Sequence, residues 1–150
     1  MILRALTLSV LLAAGPWTPA KRAGDCISIS FVGPRNHPIP TIWISDHDLG
    51  GGAANHFVNT FVVLEPAAYR AVSAGMAALH CARYPSTRLD PRKGRGASID
   101  QRVAGRVTNI CLVQGQPACT ALSQVARTAT SVGSALLAKR VSGMSGDVGC

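Results

Sequence analysis

The chain has 150 residues, 47% hydrophobic and only 15% charged, with 15 Lys and Arg against 7 Asp and Glu, 15 Gly, 9 Pro and 5 Cys. Such a composition excludes an ordinary disordered chain, and no apolar run reaches the ~20 residues that cross a bilayer, which excludes a multispanning membrane protein. One folded domain with tails remains.

Arg4 precedes an apolar stretch from Ala5 to Gly15, which Pro16 ends, and Thr18-Pro19-Ala20 places small residues around a cleavage point. This reads as a secretory signal peptide over residues 1–20. The expected product is secreted and extracellular, in an oxidising compartment where cysteines pair. Lys21-Arg22 follows at once, and a second basic pair, Lys139-Arg140, stands near the end. Both read as processing sites that bound a domain over residues 23–138, with 139–150 a basic pair and a Gly- and Ser-rich disordered tail. Loss of that tail removes Cys150 and leaves Cys26, Cys81, Cys111 and Cys119, enough for two bridges in any of three connectivities. Spacing pairs Cys111 with Cys119 across a turn, which leaves Cys26 to Cys81.

Within the domain, Cys26-Ile-Ser-Ile-Ser-Phe-Val32 alternates with period two and predicts a half-buried strand, ended by Gly33-Pro34. Thr41 to Ser45 predicts a second strand. Asp46 to Asn55, with three consecutive glycines, predicts a loop. A third strand, from His56 or Phe57 to Leu64, is apolar on both faces and is expected in the sheet centre. Glu65-Pro66 opens a helix over about Ala67 to Ala82, with Tyr69, Val72, Met76 and Leu79 on one stripe. Arg83 to Ser98 predicts an exposed basic loop. A fourth strand follows over about Arg102 to Val113, with Gly105 as a bulge. After a turn, a second helix runs from Ala118 or Cys119 to about Lys139, with Leu122, Val125, Ala129, Val132 and Leu136 buried and Thr120 capping its first turn. The order β-β-β-α-β-α predicts an α+β fold: a four-stranded, mainly antiparallel sheet with two amphipathic helices on one face, over a core including Phe31, Trp43, Phe57, Phe61 and Val63.

Little in the chain points to catalysis. His47, Asp48 and His56 gather near the Gly-rich loop, the kind of cluster that holds zinc or supplies a base. Ser45-Asp-His47-Asp-Leu-Gly50 resembles part of the Ser-x-His-x-x-Gly motif of zinc-dependent D-alanyl-D-alanine peptidases. Ala54 stands where that motif carries a ligand, however, and no Glu-x-Trp-His follows. Glu65 is the only Glu, and no P-loop or G-x-S-x-G elbow is present. The chain therefore reads as non-enzymatic, without cofactor or metal. Its basic excess gathers in residues 83–106, where Arg83, Arg88, Arg92, Lys93, Arg95, Arg102 and Arg106 face Asp90 and Asp100. Such a patch suits an anionic surface. Only Tyr84 interrupts it, which gives no stacking platform for nucleic acid.

The signal peptide, the Lys-Arg pair before Ala23-Gly-Asp-Cys26, the few cysteines and the small α+β body resemble the small secreted cysteine-containing proteins of fungi, trimmed at dibasic sites by kexin-type proteases. Killer toxins and host-directed effectors belong to that class, although the α/β-sandwich toxins carry more cysteines. The resemblance implies binding to a target cell surface or host protein, through Arg88, Arg92, Lys93 and Arg95 on one loop and His47 and Asp48 on the other. Two other readings stand beside it. One is a bacterial periplasmic or exported binding module or inhibitor. The other is a small secreted metal-dependent hydrolase using His47, Asp48 and His56.

Overall fold

The computed structural model describes residues 24–33, 40–49, 59–79 and 95–150. Five strands and three helices follow in the order β1 (Cys26–Val32), β2 (Thr41–Ser45), β3 (Asn59–Val63), α1 (Pro66–Ala77), β4 (Gly96–Val103), β5 (Arg106–Gln114), α2 (Gln116–Ser131) and α3 (Ala135–Val148). The fold is α+β, with a mixed sheet ordered β3-β2-β1-β4-β5. β1 pairs antiparallel with both β2 and β4, β4 pairs antiparallel with β5, and β2 and β3 run parallel.

Period-two alternation decides which side of each strand is covered. Ile27, Ile29 and Phe31 of β1, Ile42 and Ile44 of β2, Val62 of β3, Ala97 and Ile99 of β4, and Cys111 and Val113 of β5 form one buried cluster with the apolar stripes of all three helices. The expected stripe of α1 is buried at every step, and Leu122, Val125 and Ala129 of α2 are buried as well. The helices thus lie on one face. Odd and even positions exchange between strands, so Ser28, Ser30, Trp43, Phe61, Ser98, Asp100 and Arg102 point to the opposite face.

Several expectations are corrected. β3 lies at a sheet edge, not at the centre, and its outward Val63 is 56% exposed. Trp43 and Phe61 are half-buried on the outer face and do not join the main core, and Phe57 falls outside the described residues. β4 starts at Gly96, inside the predicted basic loop, and runs to Val103, with the alternation of Ala97 and Ile99 with Ser98 and Asp100 that marks a strand, so the single strand expected over about Arg102 to Val113 is the end of β4 and most of β5. β4 and β5 form a hairpin closed by Ala104 (φ 50°) and Gly105 (φ 79°). Two central residues in the left-handed region match the right-handed twist of paired strands. Gly105 is therefore a turn residue, and the bulge lies between Ile99 and Asp100.

The second predicted helix is two helices. Gly133 (φ 74°) ends α2, and Ser134 restarts the chain as the N-cap of α3, accepting a bond from the Leu137 amide at 3.4 Å. The restart resets the helical phase, so Leu136 is 50% exposed while Leu137, Val141, Met144 and Val148 are buried. The tail expected to be disordered is thus helical and part of the core. Thr120 does not cap α2, because its hydroxyl donates to the Gln116 carbonyl one turn back. The cystine pattern differs too. Cys119 bonds to Cys150, with the Cα atoms 5.6 Å apart. Cys111, facing the helices from mid-strand, is disulfide-bonded, but not to Cys119. Cys26 is buried and unpaired. Neither expected Cys111–Cys119 nor Cys26–Cys81 forms. Cys119 meets the residue that follows α3, a helix over residues expected to form a tail, and Cys26 faces the side of the sheet away from α1.

Candidate functional site

One end of the sheet collects the start of β1, the ends of β2 and β3, the first turn of α1 and the β4–β5 turn. Asp46 and His47 directly follow β2, and the Asp46 carboxylate accepts from His47 Nδ1 at 2.7 Å. That bond, with a smaller contribution from Arg70, holds the Asp46 carboxyl below the usual carboxylate range. With the proton on Nδ1, Nε2 of a neutral imidazole is an acceptor, and it is buried without a partner among the described residues. Gly24 packs against that ring edge so closely that a side chain there would meet Nε2. Asp25 accepts from the Ala104 amide at 3.1 Å, which ties the start of β1 to the hairpin turn. Tyr69, from the first turn of α1, is only 7% exposed, and its hydroxyl also lacks a partner among the described residues. Burial, reinforced by negative charge on Cys26, Asp25 and Asp46, pushes the Tyr69 phenol up to about 12.

The outer face continues this end into a hollow of about 110 Å³, lined by Cys26, Ser28, Trp43, Asp100, Gln101, Arg102 and Val107. Register explains it. Ser28 lies between Trp43 on β2 and Asp100 on β4, and Cys26 lies beside Arg102, which in turn pairs with Val107. A central strand with small outward side chains between two strands with large ones makes a trough. Trp43 is fixed in place by donating its indole N–H to the Asn59 side-chain oxygen at 3.2 Å. Burial pushes the Cys26 thiol up, against the opposing pull of Arg102. A wider groove of about 500 Å³ runs between α2 and α3 past the Cys119–Cys150 bond, lined also by Arg127, Ser123 and Ser142.

The residues singled out from sequence do not come together. His47 and Asp48 sit at the sheet end just described, and His56 lies outside the described residues. Arg95 precedes β4 at the opposite end, where its guanidinium donates to the Asp147 carbonyl at 2.9 Å. Arg88, Arg92 and Lys93 fall outside the described residues, as does Cys81. Lys139 and Arg140 are exposed within α3. Among the described residues no group of three His, Cys, Asp or Glu side chains is placed to hold a metal, and no helix is long and apolar enough to cross a membrane. Arg70, Arg95, Arg102, Arg106, Arg127, Lys139 and Arg140 there nearly balance Asp25, Asp46, Asp48, Glu65, Asp100 and Asp147, so the basic excess belongs to the other segments.

Sequence reasoning missed Trp43, Asp100 and Arg102 as neighbours and Tyr69 as more than a core residue. The parity of β1 and β2 carried part of the signal, since Ile42 and Ile44 face the helices only if Trp43 does not. No protein-family model, curated protein or solved structure matches the chain.

Proposed function

We propose that the protein is an exported, disulfide-stabilised, non-enzymatic protein that binds a target cell surface or host protein, in the manner of small secreted toxins and effectors. The observation that supports this reading is the asymmetry of the sheet. All three helices cover one face, while the other presents Trp43 beside Phe61 and a hollow containing Arg102. Tryptophan and arginine dominate the energetics of recognition surfaces, because each buries a large area and keeps a directed donor. The hydroxyls of Ser30 and Thr41, bonded to one another at 3.2 Å, extend that face as a polar strip. The Cys119–Cys150 bond is what an oxidising compartment would supply.

Two measurements test the reading. Residues 1–20 fused to a reporter should direct it into the medium of an expressing culture. The full chain, fluorescently labelled, should then be retained on intact target cells, with Trp43→Ser reducing retention about tenfold or more at an unchanged thermal midpoint. A reporter kept inside the cell, or equal retention of wild type and Trp43→Ser, overturns it.

A further inference from the structure

The groove between α2 and α3 holds one positive charge and a row of hydroxyls. α2 presents Thr120, Ser123 and Arg127 to it, spaced three and four residues apart and so aligned on one face, and α3 presents Ser142 and Ser145 from across the groove. Thr120 already donates to the Gln116 carbonyl and Ser145 to that of Val141, which leaves both hydroxyl oxygens as acceptors. The side chains of Ser123, Arg127 and Ser142 make no hydrogen bond or ion pair, and no carboxylate side chain lines the groove among the described residues. The Cys119–Cys150 bond closes the other end, about 12 Å along α2 from Arg127.

Each part of that lining narrows the ligand. An unpaired guanidinium with no opposing carboxylate attracts an anion. The guanidinium fork alone satisfies the two oxygens of a carboxylate, whereas a phosphate ester has further oxygens for the Ser123 hydroxyl, one turn away on α2, and for the Ser142 hydroxyl. Beyond the charge, Thr120 and Ser145 offer separate oxygens to hydroxyl donors. A peptide is served less well. The backbone groups within α2 and α3 are bonded inside the helices, so no strand can be added, and Ala126 with the cystine makes too small an apolar surface to anchor a side chain. No aromatic side chain lines the groove to stack a base. Size agrees with a compact polar ligand. A cavity of about 150 Å³ accommodates benzene, so a groove of about 500 Å³ suits a molecule with roughly three times as many heavy atoms, the size of a hexose phosphate. We propose that the groove binds a phosphorylated sugar, with its phosphate on Arg127, Ser123 and Ser142 and its ring hydroxyls donating to Thr120 and Ser145. The site is separate from the outer face of the sheet, and the two proposals do not depend on one another.

The test is a titration of the isotope-labelled full chain by heteronuclear NMR, with glucose 6-phosphate, glucose, inorganic phosphate and N-acetyl-O-phosphoserine amide as probes. Glucose 6-phosphate is expected to shift the Arg127 Nε–H signal and the amides of Ser123, Ala126 and Ser142, with half-saturation near about 1 mM. Glucose and inorganic phosphate, each lacking one part of that ligand, should bind at least about tenfold more weakly at the same signals. Arg127→Gln should weaken glucose 6-phosphate about tenfold or more at an unchanged thermal midpoint, since Arg127 is exposed. No movement of these signals with about 20 mM glucose 6-phosphate overturns the proposal. Equal affinity for inorganic phosphate would mean an adventitious anion only, and equal or tighter binding of the phosphoserine probe would mean a phosphopeptide groove; either result overturns it as well. Because the probes are compared on unsubstituted protein, the test decides even if Arg127→Gln does not fold.

Discussion

A phenol sealed from water without an acceptor costs folding free energy, and Tyr69 is in that position among the described residues. Removing the hydroxyl while keeping the ring leaves the apolar contacts of Tyr69 with the core intact. Tyr69→Phe should therefore stabilise the protein by about 1 kcal/mol at neutral pH, read by urea unfolding. Its pH dependence follows from the raised phenol. Between the ordinary tyrosine value and about 12 the folded state keeps a proton that the unfolded state has released, so this stabilisation is full below pH 10 and is lost as pH rises through 12. Across that window wild type should lose about 2 kcal/mol more than Tyr69→Phe. Parallel alkaline limbs in the two proteins would remove the buried-phenol account. Asp46 has the opposite sign. Its lowered carboxyl favours the folded state above the ordinary carboxylate range, and that contribution fades as pH falls through the folded value. Since Asp46 is exposed, Asp46→Asn should change the acid limb only slightly.

At the scale of elements, the β4–β5 hairpin carries a correctable strain. Ala104 holds φ at 50°, a region in which an L side chain is crowded, and the next residue is already the favoured glycine. Asn tolerates that conformation and Asn-Gly is the preferred pair for such a turn, so Ala104→Asn should raise stability by about 0.5–1 kcal/mol in urea unfolding. The same hairpin shows how far the elements were legible. Strands β1 and β2 and the stripe of α1 followed from periodicity, because Ile27, Ile29, Ile42, Ile44, Val72 and Met76 are buried on one side of each element. β4 was hidden because Asp100, Gln101 and Arg102 drew it into a run of arginines, and an Ala-Gly turn lacks the Asn or Asp that marks a hairpin. α3 was hidden because Gly143 and Gly146 weaken the helical pattern, although Leu137, Val141, Met144 and Val148 keep a four-three-four spacing. Strand order and the parallel edge strand β3 depend on pairings distant in sequence, which local pattern does not encode. The outer-face site failed for the same reason, since Trp43, Ser28 and Arg102 become neighbours only through the β2-β1-β4 register.

For the whole molecule, the end of the chain closes the structure. Val141, Met144 and Val148 enter the core, and Cys150 is bonded back to the first turn of α2 across 31 residues. Constraining a loop of that length in the unfolded chain is worth about 3.5 kcal/mol, so Cys150→Ser should lower stability by roughly that amount, seen as a lower midpoint in urea. The basic pair Lys139-Arg140 lies inside this loop, on the exposed side of α3. A protease that cuts after Arg140 therefore leaves Val141 to Cys150 attached twice, by the disulfide and by buried side chains. Intact mass spectrometry of such a product should show the unreduced protein heavier by one water, and the ten-residue segment should appear as a separate species only after reduction. Detection of that segment free before reduction would mean that Cys119 and Cys150 are not joined, and the helix they hold would then depend on Val141, Met144 and Val148 alone.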